Sequence, residues 1–292
     1  MRLTALAEHL KFYRLLLTRL MPDTVLLFQL IMLGCFSGFM AGLLGVGGGT
    51  LIVPFILWAL TKQGMAGQDA FKIAIATSMA CIVFTSISSF RAHHKRGMVR
   101  WDIVRTIAPG VILGGLLTGA GFFVLIKGQW LGFIFSAFIA FSATQMLLDR
   151  KPKPTRELPS AYGRTMVGVG IGIASGLVGA GGAFLASPFL IWCNITMHAT
   201  VATTAALGFP IALANTLGYV ISGWGRSTEI AGVWGYLYLP GILCISVASI
   251  LFAPLGAKVA HQLTTRQLKR CFAIVLYVLC AYVFWRAVKV PI

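Results

Sequence analysis

Charge is what this sequence has least of. Charged residues make up 11% of it, where a soluble domain carries about 25%. Carboxylates are scarcest, with seven in 292 residues. Glu8, Asp23, Asp69, Asp102, Asp149, Glu157 and Glu229 all fall in or beside expected loops. The six cysteines, Cys35, Cys81, Cys193, Cys244, Cys271 and Cys280, lie in apolar runs without C-x-x-C spacing. That argues against a disulfide framework or a zinc site, since such cysteines behave as small hydrophobes. Residues 1–21 scatter Arg2, Lys11, Arg14 and Arg19 among leucines, so no cleavable signal peptide is expected. There is no H-E-x-x-H and no G-x-S-x-G, and Gly45-Val-Gly-Gly-Gly-Thr50 lacks the lysine of a phosphate-binding loop. An enzyme is therefore not expected, and neither a cofactor nor a metal.

What the chain has instead is apolar length. Hydrophobic residues are 58% of it, mean hydropathy is +0.87, and apolar runs of at least about 18 residues recur, the mark of membrane-spanning helices. The expected fold class is all-α, a polytopic membrane protein whose first partner is the lipid bilayer. The net charge of +17 then reads as basic loops that fix orientation rather than as a nucleic-acid surface. No carboxylate sits mid-membrane to relay protons or bind sodium, which disfavours a cation transporter.

Residues 3–20 predict a basic amphipathic helix on the membrane surface, with Leu6, Leu10, Tyr13, Leu17 and Leu20 on one face and Pro22 ending it. Apolar segments follow at 24–61, 71–90, 104–126, 130–149, 165–193, 199–222, 236–256 and 270–288. Residues 24–61 would make a helix of about 57 Å and 165–193 one of about 43 Å, against a hydrocarbon core of about 30 Å. Both carry glycines in the middle, so each should be a pair of shorter helices meeting inside the membrane.

Those glycines belong to a repeated stretch. Gly38, Gly42, Gly45, Gly47, Gly48, Pro54 and Phe55 recur 134 residues later as Gly172, Gly176, Gly179, Gly181, Gly182, Pro188 and Phe189. Ala76-Thr77-Ser78 is echoed by Ala202-Thr203-Thr204, and Pro109-Gly110 by Pro240-Gly241. The pattern predicts a duplication: an interfacial helix over 1–22, a first repeat over 23–149, a basic cytoplasmic linker over 150–164 and a second repeat over 165–292. Basic residues crowd the connections at 91–105, 150–164 and 258–270, whereas those near 62–70, 127–129 and 223–235 are poor in them. If each glycine-broken segment returns to its own side, all three basic loops share one face, and the repeats are inverted. Full crossings would make them parallel; the inverted arrangement is favoured. Trp224, Trp234 and Tyr236 suggest an interfacial aromatic belt.

Several runs taken in order resemble one family. They are Gly42-Leu-Leu-Gly-Val-Gly-Gly-Gly-Thr-Leu-Ile-Val-Pro, Ala76-Thr-Ser-Met-Ala-Cys-Ile-Val-Phe-Thr-Ser-Ile-Ser-Ser, Ala92-His-His-Lys-Arg-Gly-Met-Val-Arg-Trp-Asp, Gly176-Leu-Val-Gly-Ala-Gly-Gly-Ala, Ala202-Thr-Thr-Ala-Ala and Leu213-Ala-Asn-Thr-Leu-Gly-Tyr. Together they are similar to the sulfite exporter TauE/SafE family over about residues 24–288. The resemblance implies a bacterial inner-membrane transporter of a small sulfur-containing anion: sulfite, an organosulfonate, sulfoacetate or thiosulfate. One departure is that Gly47-Gly48-Gly49-Thr50 becomes Gly181-Gly182-Ala183-Phe184 in the second copy.

Irregular backbone is tolerated at membrane depth only inside protein or beside a watery cavity. A helix that starts there offers unpaired N–H groups and a positive dipole end, and glycine lets an anion approach them. The candidate binding residues are therefore Gly45, Gly47, Gly48, Gly49 and Thr50 in the first break, and Gly179, Gly181 and Gly182 in the second. The hydroxyls of Thr77, Ser78, Thr203 and Thr204 and the amide of Asn215, which aligns with Ser89, could complete the shell as neutral donors. The alternative for the hydroxyls is bonding to their own helices. Gly38, Gly42, Gly172 and Gly176 read mainly as small-xxx-small packing positions. His93 and His94 read as part of a solvated basic face and His198 as an interfacial histidine. The rival functions are a passive anion channel and a membrane subunit whose partner carries the activity. A homo-oligomer stays open.

Overall fold

The computed structural model describes residues 23–44, 48–65, 67–94, 97–148, 156–226, 228, 230–259 and 265–290. The surface helix expected over 3–20 lies outside them, as do residues 150–155 of the basic linker. Among the described residues, eight helices are long and apolar enough to cross a membrane. They are α1 (Thr24–Leu44), α3 (Gln68–His94), α4 (Trp101–Leu117), α5 (Gly128–Leu148), α6 (Ala161–Val178), α8 (Met197–Gly223), α9 (Leu239–Val259) and α10 (Thr265–Lys289). α4 runs on through a π-turn over Thr118–Phe122 to Leu125. Two further apolar helices are shorter, α2 (Gly49–Lys62) and α7 (Ala183–Trp192). The chain is an all-α polytopic membrane protein.

Both overlong segments break where glycines cluster. α2 has 14 residues and α7 has 10, about 21 and 15 Å at the α-helical rise, too short for a core of about 30 Å. α6 starts four residues before the apolar run at 165, because Ser160 caps it by accepting the Gly163 N–H at 3.3 Å.

Four helix pairs pack most extensively: α1 with α9, α4 with α6, α5 with α10, and α3 with α8. Glycine sets the first two. A Cβ on Gly110 would lie 2.0 Å from Thr165 O and one on Gly114 2.2 Å from Val169 O, while α6 returns the fit with Gly168 against Ile107 O and Gly172 against Val111 O. On the other side Gly34 abuts Ile245 and Ala248, Gly38 abuts Ser249, and Gly256 abuts Phe39 O. In both interfaces residue numbers rise together, so the paired helices run parallel with their backbones in contact. Gly38 and Gly172 thus take the packing role, whereas Gly176 faces the Asn215 side chain. α5 and α10 run antiparallel, from Gly132 against Ala287 to Thr144 bonded to Tyr277 at 2.6 Å. α3 and α8 are the most enclosed of the spans and cross antiparallel where Ser86 meets Gly208.

These contacts sort the connections between two ends. At one end Gln63 Nε2 donates to Tyr238 Oη at 3.0 Å, Arg226 lies 3.9 Å from Asp69, and Gly128 abuts Gln68 O. At the other, Thr165 Oγ1 donates to Thr106 O at 2.9 Å and the Arg156 N–H to Trp192 O at 3.3 Å. α1, parallel to α9, starts at the Tyr238 end, and α2 finishes there at Gln63. α6 starts at the Arg156 end, and α7 finishes there at Trp192. Each glycine-broken pair is a hairpin that returns to the end it came from, and the two enter from opposite ends.

The 223–238 connection differs from the expected belt. It holds a two-residue hairpin, Val233–Trp234 against Leu237–Tyr238, turned by Gly235 at φ 59°. A positive φ at the first turn position is what such a tight hairpin needs, and glycine supplies it without steric cost. Trp224 and Trp234 stay exposed and meet edge-on at 5.4 Å, but Tyr236 is turned inward and buried.

The interlocked backbones make a direct prediction. Gly110→Val, with no space before the Thr165 carbonyl, should lower the melting temperature of the detergent-purified protein by several degrees, since overpacking costs about 1–3 kcal/mol or more. Gly170→Val is the control: nothing lies within 4 Å of a Cβ there, and its melting temperature should stay near that of the wild type.

Candidate functional site

The two short helices begin alike. Gly48, ahead of α2, has φ 72° and ψ −7°; Gly182, ahead of α7, has φ 71° and ψ −12°. This left-handed conformation costs a side-chain-bearing residue about 1–2 kcal/mol, so a glycine is called for at each start. Leu51 and Ile52 donate to Gly48 O, and Leu185 and Ala186 to Gly182 O. That leaves the first N–H groups of each helix, those of Gly49 and Thr50 and of Ala183 and Phe184, aimed out of the helix end.

The breaks touch one another. A Cβ on Gly49 would sit 2.4 Å from Gly179 O and 3.1 Å from Ala180 Cα. Gly179, at φ 71°, ends α6 and packs on Val53 of α2 and Ile75 of α3. Ser78 joins the two: its hydroxyl lies 2.9 Å from Gly179 O and 3.4 Å from Gly49 O. The Gly181 carbonyl faces Gly208 of α8. The departure between the motif copies has a reason here, since the Gly179 carbonyl lies where a Cβ of residue 49 would be. Gly45 and Gly47 lie outside the described residues.

The remaining candidates divide. Thr77 and Thr203 do not meet. Thr77 precedes the Ser86–Gly208 crossing by nine residues on α3 and Thr203 precedes it by five on the antiparallel α8, which separates them by roughly 20 Å along the bundle. Each is a buried hydroxyl that accepts a backbone N–H from the residue leading into a neighbouring helix: Tyr238 to Thr77 at 3.0 Å and Arg100 to Thr203 at 3.1 Å. Thr204 donates to Val201 O of its own helix at 3.1 Å. Asn215 is buried between Gly115 and Gly176; its amide nitrogen donates to Ile211 O at 2.9 Å, and its Oδ1 has no partner among the described residues. Thr50 Oγ1, in the first turn of α2, is likewise buried and unpartnered. The structure therefore gathers Gly48, Gly49, Thr50, Ser78, Gly179, Gly181 and Gly182 around the two breaks, and places Thr77 and Thr203 as loop anchors.

Two residues escaped the sequence reading. Ser175 lies inside the second motif, and its buried, unpartnered hydroxyl sits where a Cβ on Gly182 would be 2.9 Å away. Lys72 is buried in α3. Its signal in the sequence is a lysine just inside the apolar run that starts at residue 71.

The anchor assignment is testable. Thr77→Val and Thr203→Val keep the shape but strip the acceptor from a buried N–H, which costs about 1–3 kcal/mol. Both should lower the melting temperature by a few degrees and leave the half-saturation constant for transported solute unchanged; a raised constant in either would return that threonine to the site.

The chain is similar to known proteins along most of its length. The sulfite exporter TauE/SafE family matches residues 30–283. A probable membrane transporter protein of Haemophilus influenzae is 31% identical over 255 residues, 87% of this chain and 96% of the relative. One from Xylella fastidiosa is 29% identical over 266 residues, covering 87% and 93%, and one from Methanocaldococcus jannaschii 27% over 271 residues, covering 87% and 94%. No solved structure matches. A family match over nearly all the spans described above, with transporters similar end to end, makes this chain a member of the sulfite exporter TauE/SafE family and a multi-pass membrane transporter.

Proposed function

We propose that the protein is a secondary transporter, working as an exporter, that moves sulfite or a related small organosulfur anion across the bacterial inner membrane. The anion is held at the helix starts of α2 and α7. The observation that carries this reading is the matched pair of left-handed glycines, Gly48 and Gly182, opening two half-length helices whose breaks abut at Gly49 and Gly179. Each start directs free N–H groups and about half a positive charge along its axis, and a sulfite or sulfonate has three oxygens to accept them. Asp69 and Asp102 stay in the first turns of α3 and α4, away from the breaks. The site's polar groups are thus donors and dipoles rather than carboxylates, which suits an anion.

Inverted repeats are the architecture we infer around that site. Three observations support it: the two hairpins enter from opposite ends, α1–α9 and α4–α6 exchange places when the halves are exchanged, and Thr77 and Thr203 hold equivalent positions. Described parts of the basic connections, 97–105 and 156–164, lie at the Arg156 end, which the positive-inside rule then makes cytoplasmic.

Purified protein in liposomes should take up labelled sulfite saturably, with competition by thiosulfate or sulfoacetate and little by chloride. Gly48→Val and Gly182→Val should insert normally and lose at least about tenfold in uptake, because branched side chains are strained at positive φ. Flux that stays linear with concentration would make the protein a passive channel. Normal uptake in both variants would remove the glycine breaks from the site.

A further inference from the structure

Among the described residues Lys72 is a buried cation without a buried anion. It sits one turn inside α3, in a membrane span, and is 7% exposed. Its Nζ donates to Val124 O at 2.9 Å, at the end of α4 beyond the π-turn, and lies 5.9 Å from the ring centre of Phe123 and 6.0 Å from that of Tyr236. Among the described residues no carboxylate comes within 4.0 Å of it. An ammonium has three N–H donors, so two remain for another ligand. Charges inside membrane spans are costly and mark substrate pathways by default.

A second cation shares the same ring. The Arg226 guanidinium carbon lies 5.0 Å from the centre of Tyr236, and its Nη1 donates to the Tyr236 hydroxyl and stands 3.9 Å from Asp69 Oδ1. Arg226 and Asp69 are each about half exposed, so this pair is the wet edge of the cluster and Lys72 its dry floor. Burial raises the Tyr236 phenol above its ordinary pKa, which keeps the ring neutral between the two cations. Among the described residues of this cluster the count is two positive groups, Lys72 and Arg226, to one negative, Asp69. Lys72 is also near the glycine breaks: Ile75, one turn further along α3, is the residue whose Cα packs against Gly179.

We propose that Lys72 and Arg226, on either side of Tyr236, form a second anion-binding station at the Tyr238 end of the molecule, which takes a small sulfur oxyanion as it enters or leaves the glycine-break site. The station rests on the transport reading given above. The anion balances the positive charge that Asp69 alone leaves over, its oxygens accept the two remaining ammonium N–H bonds, and Arg226 turns from Asp69 toward it at the open side.

The test is labelled-sulfite uptake by the full-length protein in liposomes, comparing wild type with Lys72→Gln, Lys72→Arg and Arg226→Gln, each checked for an unchanged melting temperature. The expected result is a half-saturation constant raised about tenfold or more by Lys72→Gln, on the scale of a lost charge-assisted hydrogen bond. Lys72→Arg should restore most of it, and Arg226→Gln should raise it less and flatten its dependence on ionic strength. Saturable wild-type uptake with an unaltered constant in Lys72→Gln would overturn the station and leave the transport reading standing. So would equal damage by Lys72→Gln and Lys72→Arg, which would make the residue a structural tie to Val124. If the wild type itself moves no sulfite, the transport reading fails and the station fails with it.

Discussion

Backbone N–H and C=O groups have no water to turn to inside a bilayer, and that constraint governs this molecule more than any side chain does. A helix may break at membrane depth only where protein covers the exposed peptide groups. Here the cover for one break includes the other: the Gly179 carbonyl lies against Gly49, and a single hydroxyl, that of Ser78, lies within reach of carbonyls on both sides. The hairpins thus support each other, which is why neither could be a free-standing re-entrant loop. The same constraint accounts for the rest of the glycines. Backbone-to-backbone seating of α1 on α9 and α4 on α6 removes the space in which lipid would compete, and it replaces the hydrophobic force that membrane helices cannot use among themselves.

Much of the architecture was legible in the sequence because it follows from length. A run of 38 apolar residues cannot be one crossing, and the cluster of consecutive glycines tells where it must break. What the sequence could not reveal was which residues meet across the fold. Thr77 and Thr203 match in sequence, and equivalence suggested a shared shell; yet antiparallel α3 and α8 carry matched positions away from each other on both sides of their crossing. Matched sequence positions here share the same local job rather than the same place. Both threonines do have the same job, accepting an N–H from the residue that leads into α9 or α4. Tyr236 misled in the opposite way. Its neighbours Trp224 and Trp234 stay exposed, but a turn at Gly235 faces it inward, and no local composition distinguishes those fates.

The asymmetry between the halves is as informative as the likeness. Position 49 must be glycine because the Gly179 carbonyl occupies the space of its Cβ, whereas position 183 carries an alanine. Ser78 spans the two breaks, while Thr204 at the matching place bonds its own helix. Asn215 fills the gap between Gly115 and Gly176 with an amide, where the matching Ser89 has only a hydroxyl. The two glycine-led helix starts share their backbone device, while the polar groups around them differ, as the proposed site for one solute between them requires.

Magnitudes then suggest how the work is divided in an anion path of this kind. A helix start contributes about half a unit of positive charge, and its influence fades within a turn. Two such starts can orient an oxyanion through short N–H bonds, but they hold it against bulk water only weakly. A full charge adds long reach, since a pair at 4 Å gains about 4 kcal/mol at an effective dielectric of 20, as near a protein surface. Placed at the centre, that charge would trap the solute; one turn away, on the face of α3 that supports Gly179, it can draw an anion toward the breaks without closing on it. Lys72 stands at that distance, with the aromatic faces of Phe123 and Tyr236 sharing the burden of its burial. In the proposed path the glycines set shape and direction, and the lysine sets sign.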